Sequence, residues 1–210
     1  MIVAIDGPAG AGKSTVAQAL AARLGFRYLD TGAMYRALTW LALQRGLELG
    51  DGDRLGELAR AHPVAFEGEQ RVFIAGTDVT AAIRRTQIDR LVPVVARHPP
   101  VREVMRARQR VLAEDGNVVI EGRDIGTIVT PDAEVKVYLV ADPDVRAQRR
   151  QAERPEIGSD ALATDLRMRD QSDAVRMRPA PDAELIDTTR LEVEDVVERI
   201  AELVRARLPA

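Results

Sequence analysis

The chain has 210 residues, 46% hydrophobic and 30% charged, with a net charge of −3. That balance belongs to a folded globular protein of one domain with an elaboration, or one and a half domains, with no global basicity to point to nucleic acid. Cysteine is absent, which excludes disulfides, thiolate metal sites and a cysteine nucleophile. Elements then follow in order from the first residue. Ile2-Val3-Ala4-Ile5 is a short apolar run suited to a buried strand. Gly7-Pro8-Ala9-Gly10-Ala11-Gly12-Lys13-Ser14 places two glycines five apart before Lys and Ser. Val16, Ala17, Leu20 and Leu24 continue at helical spacing.

A second strand is expected at Phe26–Leu29, ending in Asp30-Thr31-Gly32, then a helix from about Ala33 to Arg45 with Gly46 as its stop. Val64–Phe66 and Arg71–Ile74 read as a hairpin carried on an insertion. Two helices are predicted next, about Thr80 to Val92 and Pro100 to Leu112, separated by Pro93 and by His98-Pro99-Pro100 as helix breakers. Val118–Ile120 and Val135–Val140 are strands, with Glu121-Gly122-Arg123-Asp124-Ile125-Gly126 after the first. Helices follow at about Pro143–Glu153 and from Gly158-Ser159 to about Asp170. A last strand at Leu185-Ile186 precedes Asp187-Thr188-Thr189. The closing helix, about Glu192 to Leu208, places Val193, Val196, Val197, Ile200, Leu203 and Val204 on one face. Strands alternating with helices predict an α/β fold, a parallel sheet flanked by helices with ligands at the strands' carboxyl ends.

The strand–glycine loop–helix unit has the chemistry of a phosphate cradle. Glycines let backbone N–H groups turn inward around small anionic oxygens, and the helix start adds its positive end. Residues Gly7, Pro8, Ala9, Gly10, Ala11, Gly12, Lys13, Ser14 and Thr15 would hold the phosphates of a nucleoside triphosphate. Lys13 would reach the β and γ phosphates, and the Ser14 hydroxyl would bind Mg²⁺. Lysine is scarce: Lys13 and Lys136 are the only two, the other basic residues being arginine. A compact point charge thus stands where a phosphate is expected.

Three polar motifs each follow an apolar strand: Asp30-Thr31-Gly32, Arg123-Asp124 and Asp187-Thr188. In a parallel sheet they share the edge of the glycine loop. Asp30-Thr31-Gly32 could be read as an aspartic protease signature, but that chemistry needs two paired carboxylates and an all-β body. Arg36 could clamp a phosphate presented over Thr31 and Gly32; the plain alternative is a helix cap with a surface arginine. Arg146, Arg149, Arg150 and Arg154 crowd one helix and its exit, either as a solvated face or as a flap closing over the triphosphate.

The motifs together resemble the bacterial cytidylate kinase family, members of the nucleoside monophosphate kinases. The resemblance rests on IDGPAGAGKST, LDTGAMYR at 29–36, VREVMRARQR at 101–110, EGRDIGTIVTPDAEVKVYL at 121–139, RDQSDAVR at 169–176 and the closing IDTT. It implies a P-loop fold with an acceptor-binding insert and a short lid: core 1–33, 113–145 and 180–210, acceptor region 34–112, lid 146–160. It implies transfer of the γ-phosphoryl of ATP, with Mg²⁺, to CMP or dCMP. Arg123 and Arg176 would contact the acceptor phosphate with Arg36 near it, and Asp173 the sugar. Arg102 and Asp124 would contact cytosine with Thr31 in the same pocket, and Arg149 would lie over the ATP side. Lys13, Arg123, Arg149 and Arg176 are the expected catalytic residues. A carboxylate accepts from cytosine N4 and an arginine donates to N3 or O2, whereas uracil turns O4 toward the carboxylate.

The sequence departs from the family at three places. Pro93 stands where a base-touching serine is common, Glu121 where Asp is frequent, and the segment between Arg176 and Asp182 is shorter. A cytoplasmic monomer without nucleic-acid or membrane partners is expected; no apolar run approaches membrane-spanning length and no leader precedes the first strand. The competing readings are a P-loop kinase for another monophosphate and a nucleotide-dependent switch protein. No Asn-Lys-x-Asp guanine reader supports the switch, since neither lysine follows an asparagine.

Overall fold

A computed structural model describes residues 1–68, 71–155, 157–174 and 177–207. It divides into two compact units, Met1–Leu29 with Asp115–Ala210, and Asp30–Glu114.

The first unit is built on a five-stranded sheet. Its strands are β1 (Ile2–Asp6), β2 (Arg27–Asp30), β6 (Val118–Gly122), β7 (Val135–Val140) and β8 (Glu184–Asp187), in the order β2-β6-β1-β7-β8. β1 runs parallel to both β6 and β7, and β7 parallel to β8. The central position of β1 explains its composition: Val3, Ala4 and Ile5 are covered on both faces, so no polar alternation is possible. Helix α1 (Lys13–Leu24) packs Val16, Ala17, Leu20 and Ala21 into the core shared with α8 (Val193–Arg205). The stripe Val196, Val197, Ile200, Ala201 and Val204 is buried, as the periodicity predicts. α8 opens on a capping box: Glu192 and Asp195 each accept from the other's backbone N–H. Helices α6 (Pro143–Glu153) and α7 (Ser159–Asp173) complete this unit.

The second unit is mostly helical. Helices α2 (Thr31–Gln44), α3 (Gly52–Ala61), α4 (Thr86–Ala96) and α5 (Pro99–Glu114) enclose Met34, Leu38, Leu55, Val95, Val101 and Met105. The inserted hairpin is present as β3 (Ala65–Glu67) and β4 (Arg71–Ile74), antiparallel. A third strand, β5 (Thr77–Asp78), extends it. The turn between β4 and β5 holds Ala75 at φ 51° and Gly76 at φ 73°. A two-residue turn of that kind wants left-handed backbone at both centres, and Ala-Gly announces only half of it.

One expectation about helix boundaries is corrected. Pro93 does not end a helix; it lies inside α4, which starts at Thr86 after a short 3₁₀ turn, Ala82–Arg84. Proline withholds one amide, but Ile88, Val92 and Val95 bury a continuous stripe that holds the helix through it. The expected break at His98-Pro99-Pro100 is present: α4 ends at Ala96, and α5 begins at the two prolines. They form the first turn of α5, where their missing N–H groups have no helical partner to lose.

Candidate active site

The first unit brings the glycine loop and the Arg123-Asp124 motif to adjoining strand ends. β1 delivers the chain at Asp6, directly before the loop, and its neighbour β6 delivers it at Gly122, directly before Arg123. The loop is fitted closely to its surroundings. A Cβ on Gly7, at φ 146°, would lie 2.2 Å from the Leu139 carbonyl oxygen. A Cβ on Gly10, at φ 78°, would lie 3.0 Å from the Arg146 Cβ and 3.1 Å from its carbonyl oxygen. Neither position admits a side chain without moving backbone.

Lys13 opens α1 and is 6% exposed, and its Nζ donates to the Pro8 carbonyl at 2.7 Å. Burial pushes the ammonium well below the usual lysine range and nearby Arg123 pushes the same way, against the carboxylates of Glu121 and Asp6. The site therefore holds a desolvated cation that a polyanion would stabilise. Ser14 and Thr15 follow on the exposed side of the same turn.

Asp6, which the motif reading passed over, is central. It is 5% exposed, and its two oxygens accept the amide protons of Ile125 at 2.9 Å and Gly126 at 2.8 Å. Burial raises its pKa to about 6, against the two backbone bonds; Asp124 adds to the rise and Lys13 opposes it. These amides begin a wide π turn, Ile125–Val129, immediately after Arg123-Asp124. One carboxylate thus fixes the Asp124 motif to the strand that launches the glycine loop. The sequence signal was available: a charged residue closing an otherwise apolar strand before a phosphate loop.

Arg123 is half-buried, with its Nε donating to Asp173 at 3.0 Å and its Nη1 to the Gly122 carbonyl at 3.3 Å. Asp124 is buried. Glu121 is buried too and accepts from the Tyr28 hydroxyl at 2.5 Å. Glutamate is long enough to reach that phenol from its own strand. Arg149 donates from Nη1 to Thr188 Oγ1 at 3.0 Å and from Nη2 to the Thr188 carbonyl at 2.6 Å. Its Nη1 would lie 3.8 Å from a Cβ on Gly12. Thr188 Oγ1 itself lies 3.1 Å from the Ala11 carbonyl. The Asp187-Thr188 motif therefore contributes its buried threonine to the back of the glycine loop, while Asp187 stays exposed.

Arg146 behaves otherwise than a flap residue. It is 7% exposed and donates to the Ala9 carbonyl at 3.1 Å and to Asp170 at 2.7 Å. It fastens α6 to the loop and to α7. Arg150 pairs with Glu153 one turn on, at 2.7 Å.

The second unit carries the other expected residues. Asp30 caps α2, accepting from the Ala33 amide at 2.9 Å, and also binds Arg36 at 2.5 Å, with Arg84 3.7 Å away. The helix-cap alternative for Asp30 is thus present, but Arg36 is tied to the cap rather than free in solvent. Thr31 is buried in the first turn of α2. Arg102, on α5, donates to the Ala96 carbonyl at 3.4 Å. Arg176 lies outside the described residues.

The cytidylate kinase family profile matches residues 3–206. A cytidylate kinase of Shouchella clausii strain KSM-K16 is 48% identical, covering 97% of this chain and 95% of that protein. One of Geobacillus kaustophilus strain HTA426 is 49% identical, covering 98% and 97%. Among solved structures, a gluconokinase from Sinorhizobium meliloti 1021 matches at TM-score 0.53 and 14% identity, over 98% of this chain and 92% of that one. A shikimate kinase from Bacteroides thetaiotaomicron matches at TM-score 0.52 and 18% identity over 98% of each. These last two likenesses speak for the P-loop kinase fold alone. The profile and the two close relatives, each spanning nearly the whole chain, carry the assignment: this chain belongs to the cytidylate kinase family.

Proposed function

We propose that this chain transfers the γ-phosphoryl group of ATP to CMP or dCMP, giving ADP and the corresponding diphosphate. One observation supports the reading most: the glycine loop with its desolvated Lys13 and the Arg123-Asp124 motif leave adjoining parallel strands, tied by Asp6. A donor triphosphate and an acceptor monophosphate need that adjacency for in-line transfer.

Lys13 and the loop amides would hold the β and γ phosphates, with Arg149 beside Gly12 on the donor side. Arg123 would hold the acceptor phosphate and Asp173 the sugar, the two being already aligned by their mutual bond. Arg36 and Arg176 would share the acceptor phosphate. Asp124 would accept from cytosine N4, with Arg102 donating to the base and Thr31 lining the same pocket. No general base is required, because the attacking phosphate oxygen is already anionic. Charge on the transferring group is spread by Lys13 and the arginines, and closure of segment 146–160 would exclude water, Arg146 serving as its fixed root. The Pro93 position, inside α4, offers the base no hydroxyl.

The donor set suits Mg²⁺. Among the described residues no cluster of three or more His, Asp or Glu side chains could cage an ion. An exposed Ser14 hydroxyl at the loop's end fits an ion held chiefly by substrate phosphates. Bound there, Mg²⁺ would neutralise charge on the β and γ oxygens.

The reading also places the protein in the cytoplasm, where both nucleotides occur. Among the described residues, no helix is long and apolar enough to cross a membrane. It needs a single copy, since loop, arginines and carboxylates all come from one chain, and no nucleic-acid partner. ATP consumption with CMP, dCMP, UMP, AMP and GMP tests it. CMP and dCMP are expected to turn over well ahead of the rest; equal rates with AMP or GMP, or hydrolysis independent of any acceptor, would overturn it.

A further inference from the structure

The Arg146–Asp170 pair is only half made. The Nη2 of Arg146 donates to Asp170 Oδ2 at 2.7 Å, and its Nη1 is spent on the Ala9 carbonyl at 3.1 Å. The second leg that an arginine–carboxylate fork normally closes runs from Nε to the other oxygen. Here both Arg146 Nε and Asp170 Oδ1 are buried and neither has a hydrogen-bond partner. An unsatisfied buried donor and acceptor on the same two side chains costs free energy that closing the fork would recover. A guanidinium shared between two acceptors, with its fork half open, has a second arrangement at hand: release Ala9 and close the fork.

The two ends of this pair lie where the two nucleotides are expected. Ala9 belongs to the glycine loop, and the loop is packed on Arg146 so closely that a Cβ on Gly10 would lie 3.0 Å from the Arg146 Cβ. Asp170 lies on α7, one turn before Asp173, whose Oδ2 accepts from Arg123. A chain of charge-assisted hydrogen bonds therefore runs from the loop carbonyl through Arg146 and Asp170 into α7, and from Asp173 to Arg123. Any shift of Ala9 as the loop amides wrap phosphate changes what Arg146 can give to Asp170.

Resting on the function proposed above, we infer that the Arg146–Asp170 pair is a positioning element: through it an occupied glycine loop tightens the grip of Arg123 and Asp173 on the acceptor nucleotide. Linkage requires the reverse effect to be equal, so the acceptor tightens the donor by the same factor. Arg146 touches neither nucleotide in this scheme. It acts through the loop carbonyl on one side and through α7 on the other.

Calorimetric titration of CMP into the whole protein, alone and with a saturating non-hydrolysable ATP analogue, tests this. CMP is expected to bind about fivefold or more tightly when the analogue is present. Asp170→Asn keeps the shape but cannot form a charged fork, so it should bring that ratio to near one while leaving the analogue's own affinity almost unchanged. Arg146→Lys, which keeps the charge but has no planar fork to close on Asp170, should do the same. A wild-type ratio of one overturns the inference. So does a wild-type ratio retained in either variant, or an equal loss of both affinities, which marks a structural tie only. Failure of both variants to fold would likewise leave a structural tie and overturn it. If CMP does not bind at all while the analogue does, the proposed acceptor is wrong instead.

Discussion

Two motifs, one in each unit, treat charge in opposite ways. In the unit built on the parallel sheet, Asp6, Lys13, Glu121 and Asp124 are all buried at strand and helix ends. The first two carry their charge at a cost: burial lifts the Asp6 carboxyl to about 6 and lowers the Lys13 ammonium. In the Asp30–Glu114 unit the charges at the motif neutralise one another: Asp30 binds Arg36 while capping a helix. The first arrangement is held ready by backbone, and an incoming anion would stabilise its Lys13. The second must give up an existing partner to accept one. On the proposed function, fixed chemistry would fall to the glycine loop and adjustable binding to the Asp30 motif.

The largest expected effect breaks the first arrangement. Lys13→Met should lower kcat by roughly 10²–10³-fold or more, the order seen when one preorganised charge-stabilising group is lost. Its melting temperature should hold or rise, because a buried ammonium is replaced by an apolar chain of similar length. A rate assay and a thermal melt on the same sample check both, and near-normal turnover would remove Lys13 from the mechanism.

Next comes the pH dependence of Asp6. Its folded pKa, about 6, lies above the ordinary 3.8. The fold therefore favours the protonated form, a contribution fully present below pH 3.8 and lost as pH rises through 6. A rise of that size corresponds to about 3 kcal/mol. The stability of the wild type minus that of Asp6→Asn should fall by about that much between about pH 4 and pH 7, read by urea unfolding at each pH. A difference that stays flat or rises would mean that Asp6 does not carry the burial cost given to it.

Asp124→Ala should cost about 1–3 kcal/mol of discrimination between CMP and UMP, seen as a collapse of the ratio of their kcat/KM values. A preserved ratio would show that the base is read elsewhere. The smallest effect belongs to the helical unit. Asp30→Ala should lose about 1 kcal/mol of stability with its cap, and the released Arg36 should change KM for CMP more than kcat. A fall in kcat alone would contradict the contrast between the units.

Most of the sheet unit was legible in the sequence because its signals are local. Apolar runs, a glycine loop and a helical-period stripe on α8 fix strand, cradle and helix within a few residues each. What could not be read is the pairing that burial decides over long separations. Asp6 and Gly126 are 120 positions apart, and nothing in either segment announces that one caps the other. In the sequence Arg146 is one more arginine in a basic run; its bonds to the Ala9 carbonyl and Asp170, with Gly10 packed against it, show that it is anchored. Pro93 misled for a physical reason: a buried stripe outweighs one missing amide. Its neighbours Ile88, Val92 and Val95 carried that stripe in the sequence all along.

The most direct test is a crystal structure of the protein with CMP and a non-hydrolysable ATP analogue. The cytidine phosphate is expected against Arg123 and its N4 within hydrogen-bond reach of Asp124, with the triphosphate in the glycine loop at Lys13. CMP bound away from Arg123 and Asp124, or no bound CMP at saturating concentration, would contradict the assignment.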